Sequence, residues 1–267
     1  MAAAYARELE VAVQAAQTAA TLIRPAAGRL SGADIREKGF NDLVTTTDEA
    51  AQDIIIRTLR GAFPEYGFLA EESTAGAPPT VPRWIIDPID GTVNFAHGLP
   101  PYAVSIALQV DGQIQAGVVL EVQSGHLFTA IRGQGAMRNG EPVHVSSRPR
   151  LAGSVVATGF PYKDFEGVRE YLEVLQRFLL ETRGVRRFGV ASIDLAYVAC
   201  GLFDGFFEKG LHAWDVAAGT LLVREAGGRV TDFAGDANVL SGGQIVASNS
   251  WVHEEMLLLL TPLKRAV

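Results

Sequence analysis

Apolar positions recur along this chain at two spacings, and the switches between them mark a mixed helical and strand architecture. From Ala2 to Ala27 an alanine-rich run carries Leu9, Val13, Ala16 and Ala20 at helical spacing, with Pro25 and Gly28 marking its end. Arg7, Glu8, Glu10, Gln14, Gln17 and Arg24 interrupt it, so it predicts an amphipathic helix and neither a membrane span nor a signal peptide. Ser31 to Asn41 is polar and reads as a loop or short hairpin. Thr46, with Glu49 three residues on, has capping-box spacing, and Ala50, Ile54, Ile55 and Leu59 carry a helix to about Gly61.

Strand signals follow. Gly67 to Ala70 is a short strand that delivers Glu71 and Glu72 to an edge, and Trp84 to Ile86 reads as the end of a buried strand closed by Pro and Gly. Tyr102 to Val110, Ile114 to Val122 and Leu127 to Ile131 read as successive strands, with turn residues at Asp111-Gly112 and Ser124-Gly125 suited to antiparallel hairpins. Beyond them come a strand at Val155 to Thr158, helices at Val168 to Leu180 and Ser192 to Cys200, and a strand at Phe203 to Glu208. A helix is entered at His212 to Asp215 and stops at Gly227-Gly228; a last strand, Gln244 to Ala247, leads to a helix over Val252 to Leu260. The order predicts an α+β fold in one domain spanning 1–267, built as two interlocked halves, roughly 1–150 and 151–267.

Composition narrows the chemistry. With 267 residues, 48% of them hydrophobic, the chain can bury a sizeable core, and its formal charge of −7 argues against nucleic acid as a direct ligand. One cysteine, Cys200, excludes an internal disulfide, suits a reducing, cytoplasmic compartment, and sits among residues that read as buried helix. Gly133-Gln-Gly135 fails as a dinucleotide loop because Arg138 stands where the third glycine belongs. No phosphate-binding Gly-x-x-x-x-Gly-Lys loop and no Gly-x-Ser-x-Gly elbow is present, and the five histidines lack zinc-site spacing.

The chemistry concentrates between Trp84 and Phe95. Asp87 stands where the strand is expected to end, Pro88 fixes the backbone, Asp90 follows three residues on, and Gly91-Thr92 opens a helix whose first amides are free to face an anion. Carboxylates this close repel unless a cation neutralises them, which suggests a metal-bridged phosphate. Each acid alone has a structural explanation: Asp48 and Asp215 complement helix starts, Glu71 is a solvated strand end, and Asp-Gly is a common turn. Together Glu71, Asp87, Asp90 and Asp215, with a backbone carbonyl near Ile89, are hard oxygen donors suited to magnesium or manganese.

Four blocks in order carry a resemblance over nearly the whole chain: Asp42-Leu-Val-Thr-Thr-Thr-Asp48, Phe68-Leu-Ala-Glu-Glu-Ser73, Trp84 to Phe95, and Trp214-Asp-Val-Ala-Ala-Gly219 followed by Glu225-Ala-Gly-Gly228. They resemble the inositol monophosphatase family of magnesium-dependent, lithium-sensitive phosphatases. The resemblance implies a layered α-β-α-β-α sandwich and a homodimer. It makes Glu71, Asp87 and the Ile89 carbonyl ligands of a first magnesium, and Asp87, Asp90 and Asp215 ligands of a second, with a third, weaker ion leaning on Glu71; manganese can substitute. Asp90, Gly91, Thr92, Ala191, Glu208 and Asp215 become substrate contacts, Gly91 and Thr92 through backbone amides. Glu71 and the Thr92–Asp48 pair orient and deprotonate the attacking water. Haloacid-dehalogenase phosphatases, the nearest enzymatic rival, space their aspartates two apart; Asp87 and Asp90 are three apart, which favours direct water attack without a phospho-enzyme.

Asn94-Phe95 resembles the sugar- and inositol-phosphate branch, so the expected substrate is a small phosphate monoester, inositol 1-phosphate first. Fructose-1,6-bisphosphatase and histidinol-phosphate phosphatase activities occur on the same scaffold. Some bacterial relatives bind the transcription machinery, so an RNA-polymerase or ribosomal-transcription interaction role is the alternative from another class. The chain departs from the family at Val190, where Ser or Thr is usual, and Lys38 lies near the family's active-site lysine with a spacing to Asp42 that differs by one residue.

Overall fold

Alternation along the strands sorts apolar side chains onto the two faces of two sheets, and the helices cover those faces. The computed structural model describes residues 4–39, 42–73, 76–161 and 165–265; the side chains of Lys38, Asp42, Lys264 and Arg265 lie outside that description. Helices α1 (Ala6–Ala26) and α2 (Thr46–Ala62) flank an antiparallel hairpin of β1 (Ile35–Gly39) and β2 (Asp42–Thr45). A seven-stranded sheet follows in sequence order: β3 (Gly67–Ala70), β4 (Arg83–Asp90), β5 (Ala103–Val110), β6 (Gln113–Glu121), β7 (Leu127–Ile131), β8 (Ala136–Arg138) and β9 (Glu141–Val143). Only β3 and β4 run parallel within it. Short helix α3 (Thr92–Ala96) leaves the end of β4.

The later half builds a five-stranded sheet from β10 (Val155–Thr158), β11 (Gly184–Arg186), β12 (Gly205–Lys209), β13 (Arg229–Thr231) and β14 (Gln244–Ser248), in the order β11-β10-β12-β14-β13. Its helices are α4 (Val168–Glu181), α5 (Ala191–Ala199), α6 (Ala213–Glu225) and α7 (His253–Leu259).

On β4 and β5, Trp84, Ile86, Val104, Ile106 and Leu108 join the α1 and α2 side chains in one buried cluster, while Ile85, Ala103 and Ala107 point the other way. There they meet α5 and α6, which also touch Phe206, Ile245 and Ala247 of the second sheet. Val156, Phe207 and Val246 face outward to Tyr171 and Phe178 of α4 and Met256 of α7. The layers are therefore α1/α2, first sheet, α5/α6, second sheet, α4/α7, the α-β-α-β-α sandwich expected. No helix among the described residues is long and apolar enough to cross a membrane.

The buried stripe of α1 is Ala12, Ala15, Ala16, Ala19, Ala20 and Ile23, with Leu9 and Val13 only partly covered at its edge. Small side chains let helix backbones approach closely, so the alanines and not the larger residues take the contact. The capping box of α2 also sits one residue earlier than predicted: Thr45 is the N-cap and Asp48 its third-position acid. The polar segment before it does form a hairpin arm, although Phe40 and Asn41 lie outside the described residues.

Candidate active site

Strand β4 does not end at Asp87 as the Pro88 signal suggested. It continues to Asp90 through an irregularity, in which Asp87 pairs with Ser105 and Asp90 with Ala103, so three steps on β4 oppose two on β5. A bulge of this kind re-aims side chains, and it places Asp87, Ile89 and Asp90 on the wall of one cavity of about 840 Å³. Asp87 Oδ1 accepts from the Ile89 amide at 3.0 Å, a turn that keeps the two carboxylates at the cavity. Gly91 then takes φ 90°, and a Cβ there would lie 2.7 Å from Val190 Cγ2, so both backbone and space require glycine.

Asp48 arrives from α2. Its Oδ2 accepts from the Thr45 amide at 2.9 Å and the Thr45 hydroxyl at 2.5 Å, leaving Oδ1 turned to the Thr92 hydroxyl at 3.2 Å. The Thr92 hydroxyl also lies 3.0 Å from the Ile89 carbonyl. The Asp48–Thr92 pair expected from the resemblance is thus present, and the helix cap is what holds it. Burial pushes the Asp48 carboxyl up to about 6, against the hydrogen bonds from Thr45.

The later half supplies the opposite wall. Asp90 Oδ2 accepts from the Ser192 amide at 2.7 Å, so an acid of the first sheet caps α5 across 102 residues of sequence. The Ala191 amide, expected to serve substrate, faces Asp90 as well. Burial raises Asp90 to about 6 while these bonds pull it down, and Asp87, buried among Glu71, Asp90 and Asp215, is pushed well above the usual carboxylate range, first by burial and then by those charges. Asp215, in the first turn of α6, accepts from the His212 amide at 2.6 Å and lines the same cavity. Glu71, from the end of β3, and Glu208, at the end of β12, line it too. Glu208 is raised to about 8 by burial first and then by Asp215 and Asp90.

Glu71, Asp87, Asp90, Glu208 and Asp215 therefore reach one cavity, with Gly91, Thr92 and Ala191; Asp48 does not line it and stands behind Thr92. Among the described residues no group of three or more His, Cys, Asp or Glu is posed to hold a metal ion as it stands. Like charges facing one space keep apart, so these side chains converge on the cavity without closing on a point. The donor set still fits a hard divalent cation: four carboxylates, two of them raised by burial, and the Ile89 carbonyl, with no sulfur or imidazole among them.

Sequence reasoning missed other residues. Arg187 lines the cavity with its guanidinium carbon 5.7 Å from the centre of the Phe160 ring. The Arg186-Arg187 pair just before the α5 cap was the available signal. Gly159 was also missed: a Cβ there would stand 1.9 Å from the Glu208 carboxyl, so glycine makes room for that acid. Asn94, read as a branch marker, donates to the Pro101 and Phe188 carbonyls at 2.9 and 3.0 Å and ties the halves together. Val190, the departure from the family, is fully buried against Gly91.

Comparison with known proteins gives a consistent picture. The family model described as the inositol monophosphatase family matches residues 5–262. The "Nus factor SuhB" of Pseudomonas aeruginosa is 43% identical over 262 residues, covering 95% of this chain and 96% of that protein. An "Inositol-1-monophosphatase" of Mesorhizobium japonicum is 44% identical over 250 residues, covering 93% and 94%. The crystal structure of extragenic suppressor protein suhB from Bartonella henselae superposes with a TM-score of 0.91 at 42% identity, covering 98% of this chain and all of that one.

Proposed function

The chain belongs to the inositol monophosphatase family, and we propose that it hydrolyses a small polyol phosphate, inositol 1-phosphate first, with magnesium and a water nucleophile. Membership supports a phosphatase and dependence on a metal; the substrate, the ion and the residue roles are the proposal. The observation that carries it is the convergence of Glu71, Asp87, Asp90 and Asp215 on the cavity that the Asp48–Thr92 pair backs.

Glu71, Asp87 and the Ile89 carbonyl would hold one ion, and Asp87, Asp90 and Asp215 another. When bound, such ions neutralise phosphate oxygens and lower the pKa of a nearby water. The chain's own part is positioning and proton movement. Glu71 and the Thr92–Asp48 pair orient the water and take its proton: the Thr92 hydroxyl passes its own proton to Asp48 Oδ1 as it accepts one from the water. The amides of Gly91 and Thr92 meet the phosphate oxygens. Glu208, on the cavity wall, accepts from polyol hydroxyls.

The test is phosphate release from inositol 1-phosphate, fructose 1,6-bisphosphate, histidinol phosphate and a nucleotide bisphosphate, each with magnesium and with EDTA. Metal-dependent release that favours inositol 1-phosphate is expected. Preference for another member replaces the substrate, and no release from any sinks the enzymatic reading. The second reading, a transcription-complex role, is favoured by the names of 42–45% identical relatives, "Nus factor SuhB" or "Putative Nus factor SuhB". It survives only if an Asp90→Asn variant, dead in hydrolysis, still binds the transcription machinery.

A further inference from the structure

A second cavity, of about 650 Å³, opens where the β5–β6 turn, the later half of α6 and β13 meet. It lies away from the acids: along α6, Arg224 follows Asp215 by nine residues, roughly 13 Å at 1.5 Å per residue. Arg132, Arg224 and Arg229 line it, and among its described lining residues there is no carboxylate.

Asp111 and Asp236, beside it in sequence, are exposed and do not line it, and other acids close by are engaged elsewhere. Both Glu225 oxygens accept from the Gly133 and Gly135 amides, at 2.9 and 3.0 Å, and Asp232 Oδ1 accepts from the Asp236 amide at 2.8 Å. Glu254 is paired with Arg229 at 2.5 Å, which leaves Arg132 and Arg224 as the cations to account for. Backbone carbonyls and one side-chain amide fix them. Arg132 Nε donates to the Ile114 carbonyl at 2.9 Å and its Nη2 to Gln113 Oε1 at 3.1 Å, while Arg224 Nη2 reaches the Ala237 and Val230 carbonyls at 3.2 and 3.4 Å.

These bonds neutralise nothing. Burial first, and then the charge of Arg132, hold the Arg224 guanidinium below its usual range. Two like charges facing one half-buried space are relieved by an anion between them. Thr220 adds a second, independent observation: it lines the same cavity, is 1% exposed, and its hydroxyl has no hydrogen-bond partner. The volume is in the range of small-ligand sites, and two guanidinium charges on one space suit a doubly charged phosphate better than a single carboxylate.

We propose that this second cavity binds a small phosphate-bearing anion between Arg132 and Arg224. Both cations are held in place before the ligand arrives, so little ordering is needed on binding. The inference is independent of the hydrolytic reading, since it uses none of the residues of the first cavity.

The experiment is titration calorimetry of the full chain with inorganic phosphate and with pyrophosphate, in EDTA. Without metal, the acid-lined cavity repels both probes. Wild type is compared with Arg132→Gln, Arg224→Gln, Thr220→Val and, in the first cavity, Arg187→Gln, each with a thermal melt to verify folding. One saturable site is expected, weakened about tenfold or more by either loss of Arg132 or of Arg224, a few-fold by Thr220→Val, and unchanged by Arg187→Gln. Should Arg224→Gln fail to fold because its loop staples are lost, Arg132→Gln decides. No saturable binding, binding as strong in Arg132→Gln as in wild type, or loss only in Arg187→Gln overturns the proposal.

Discussion

Asp87 and Asp204 are equally buried, 1% and 2% exposed, yet they belong to opposite kinds of place. Asp204 is held at every side: Ser146 donates its hydroxyl to Oδ1, the Val155 amide reaches Oδ2 at 2.8 Å, and Arg148 Nε stands 3.2 Å from Oδ2. Asn249 closes the knot, donating to Ser146 Oγ at 2.9 Å and to the Arg148 carbonyl at 3.0 Å. Asp87 receives a bond from the Ile89 amide and otherwise faces Glu71, Asp90 and Asp215. Burial of an acid is therefore no mark of function by itself. What distinguishes the cavity is a set of acids close enough for each to raise the next, a cost that persists only where function uses it.

The largest effect should come from breaking the crowded side. Asn at position 90 keeps an acceptor for the Ser192 amide but removes a charge, so Asp90→Asn should fold. Its turnover on the best substrate should fall by about 10³-fold, roughly 4 kcal/mol of transition-state stabilisation. Retention of more than a tenth of wild-type turnover would show that Asp90 is another Asp204.

Next comes the pH dependence of the metal-free protein. Asp48 and Asp90, both raised to about 6, and Glu208, raised to about 8, hold protons in the folded state that the unfolded chain has already released. Stability from these groups is fully present below about pH 4 and is lost as pH rises through 6 and then 8. For Asp48 alone the shift of about two units corresponds to roughly 3 kcal/mol. Urea unfolding in EDTA should thus show a falling midpoint between pH 4 and 8, and magnesium should restore it at the upper end. A midpoint that is flat or rises over that range contradicts the crowded-acid account.

Turning to the satisfied side, Asp204→Asn should cost stability and nothing in turnover per folded molecule. The change puts an N–H₂ group where an acceptor was and breaks the pairing with Arg148. That arginine is half-exposed, so the loss should be about 2 kcal/mol, below the range for fully buried pairs. Denaturant titration and kcat, measured together, check both halves of the statement; a turnover loss with unchanged stability would reverse the roles assigned to the two acids.

This contrast also explains what the sequence could and could not tell. The strands over 67–70, 127–131 and 155–158 were legible to the residue, because each carries a self-contained apolar run bounded by turn residues. Strands β8, β9, β11 and β13 have three residues each, too few to show a period of two, and only their neighbours make them strands. In the site, the acids were legible as residue types in the order of a known family. The bulge that aims Asp87 and Asp90 was not, since Pro88 looked like an ending and pairing with β5 overrode it. Gly159, Arg187 and the Asp204 knot depend on contacts across tens of residues and left no local pattern to read.

His253 offers the smallest and sharpest version of the comparison, because its titration has the opposite sign. It is fully buried, with Nδ1 2.9 Å from the Ser248 hydroxyl and Nε2 2.9 Å from the Thr231 hydroxyl, so both ring nitrogens are occupied in the neutral form. Burial, and next the charge of Arg229, lower it from 6.5 to about 4. The unfolded chain then binds a proton that the folded chain refuses between those values. Stability from this group is present above pH 6.5 and is lost as pH falls towards 4, by about 1 kcal/mol between pH 6.5 and 5.5. Subtracting the unfolding free energy of His253→Gln from that of wild type cancels the carboxylates of the cavity, which titrate alike in both proteins. The difference should shrink by about that amount over that single unit. A constant difference would mean that His253 accepts its proton inside the fold, and that a fully bonded buried group can be as pH-active as the crowded acids.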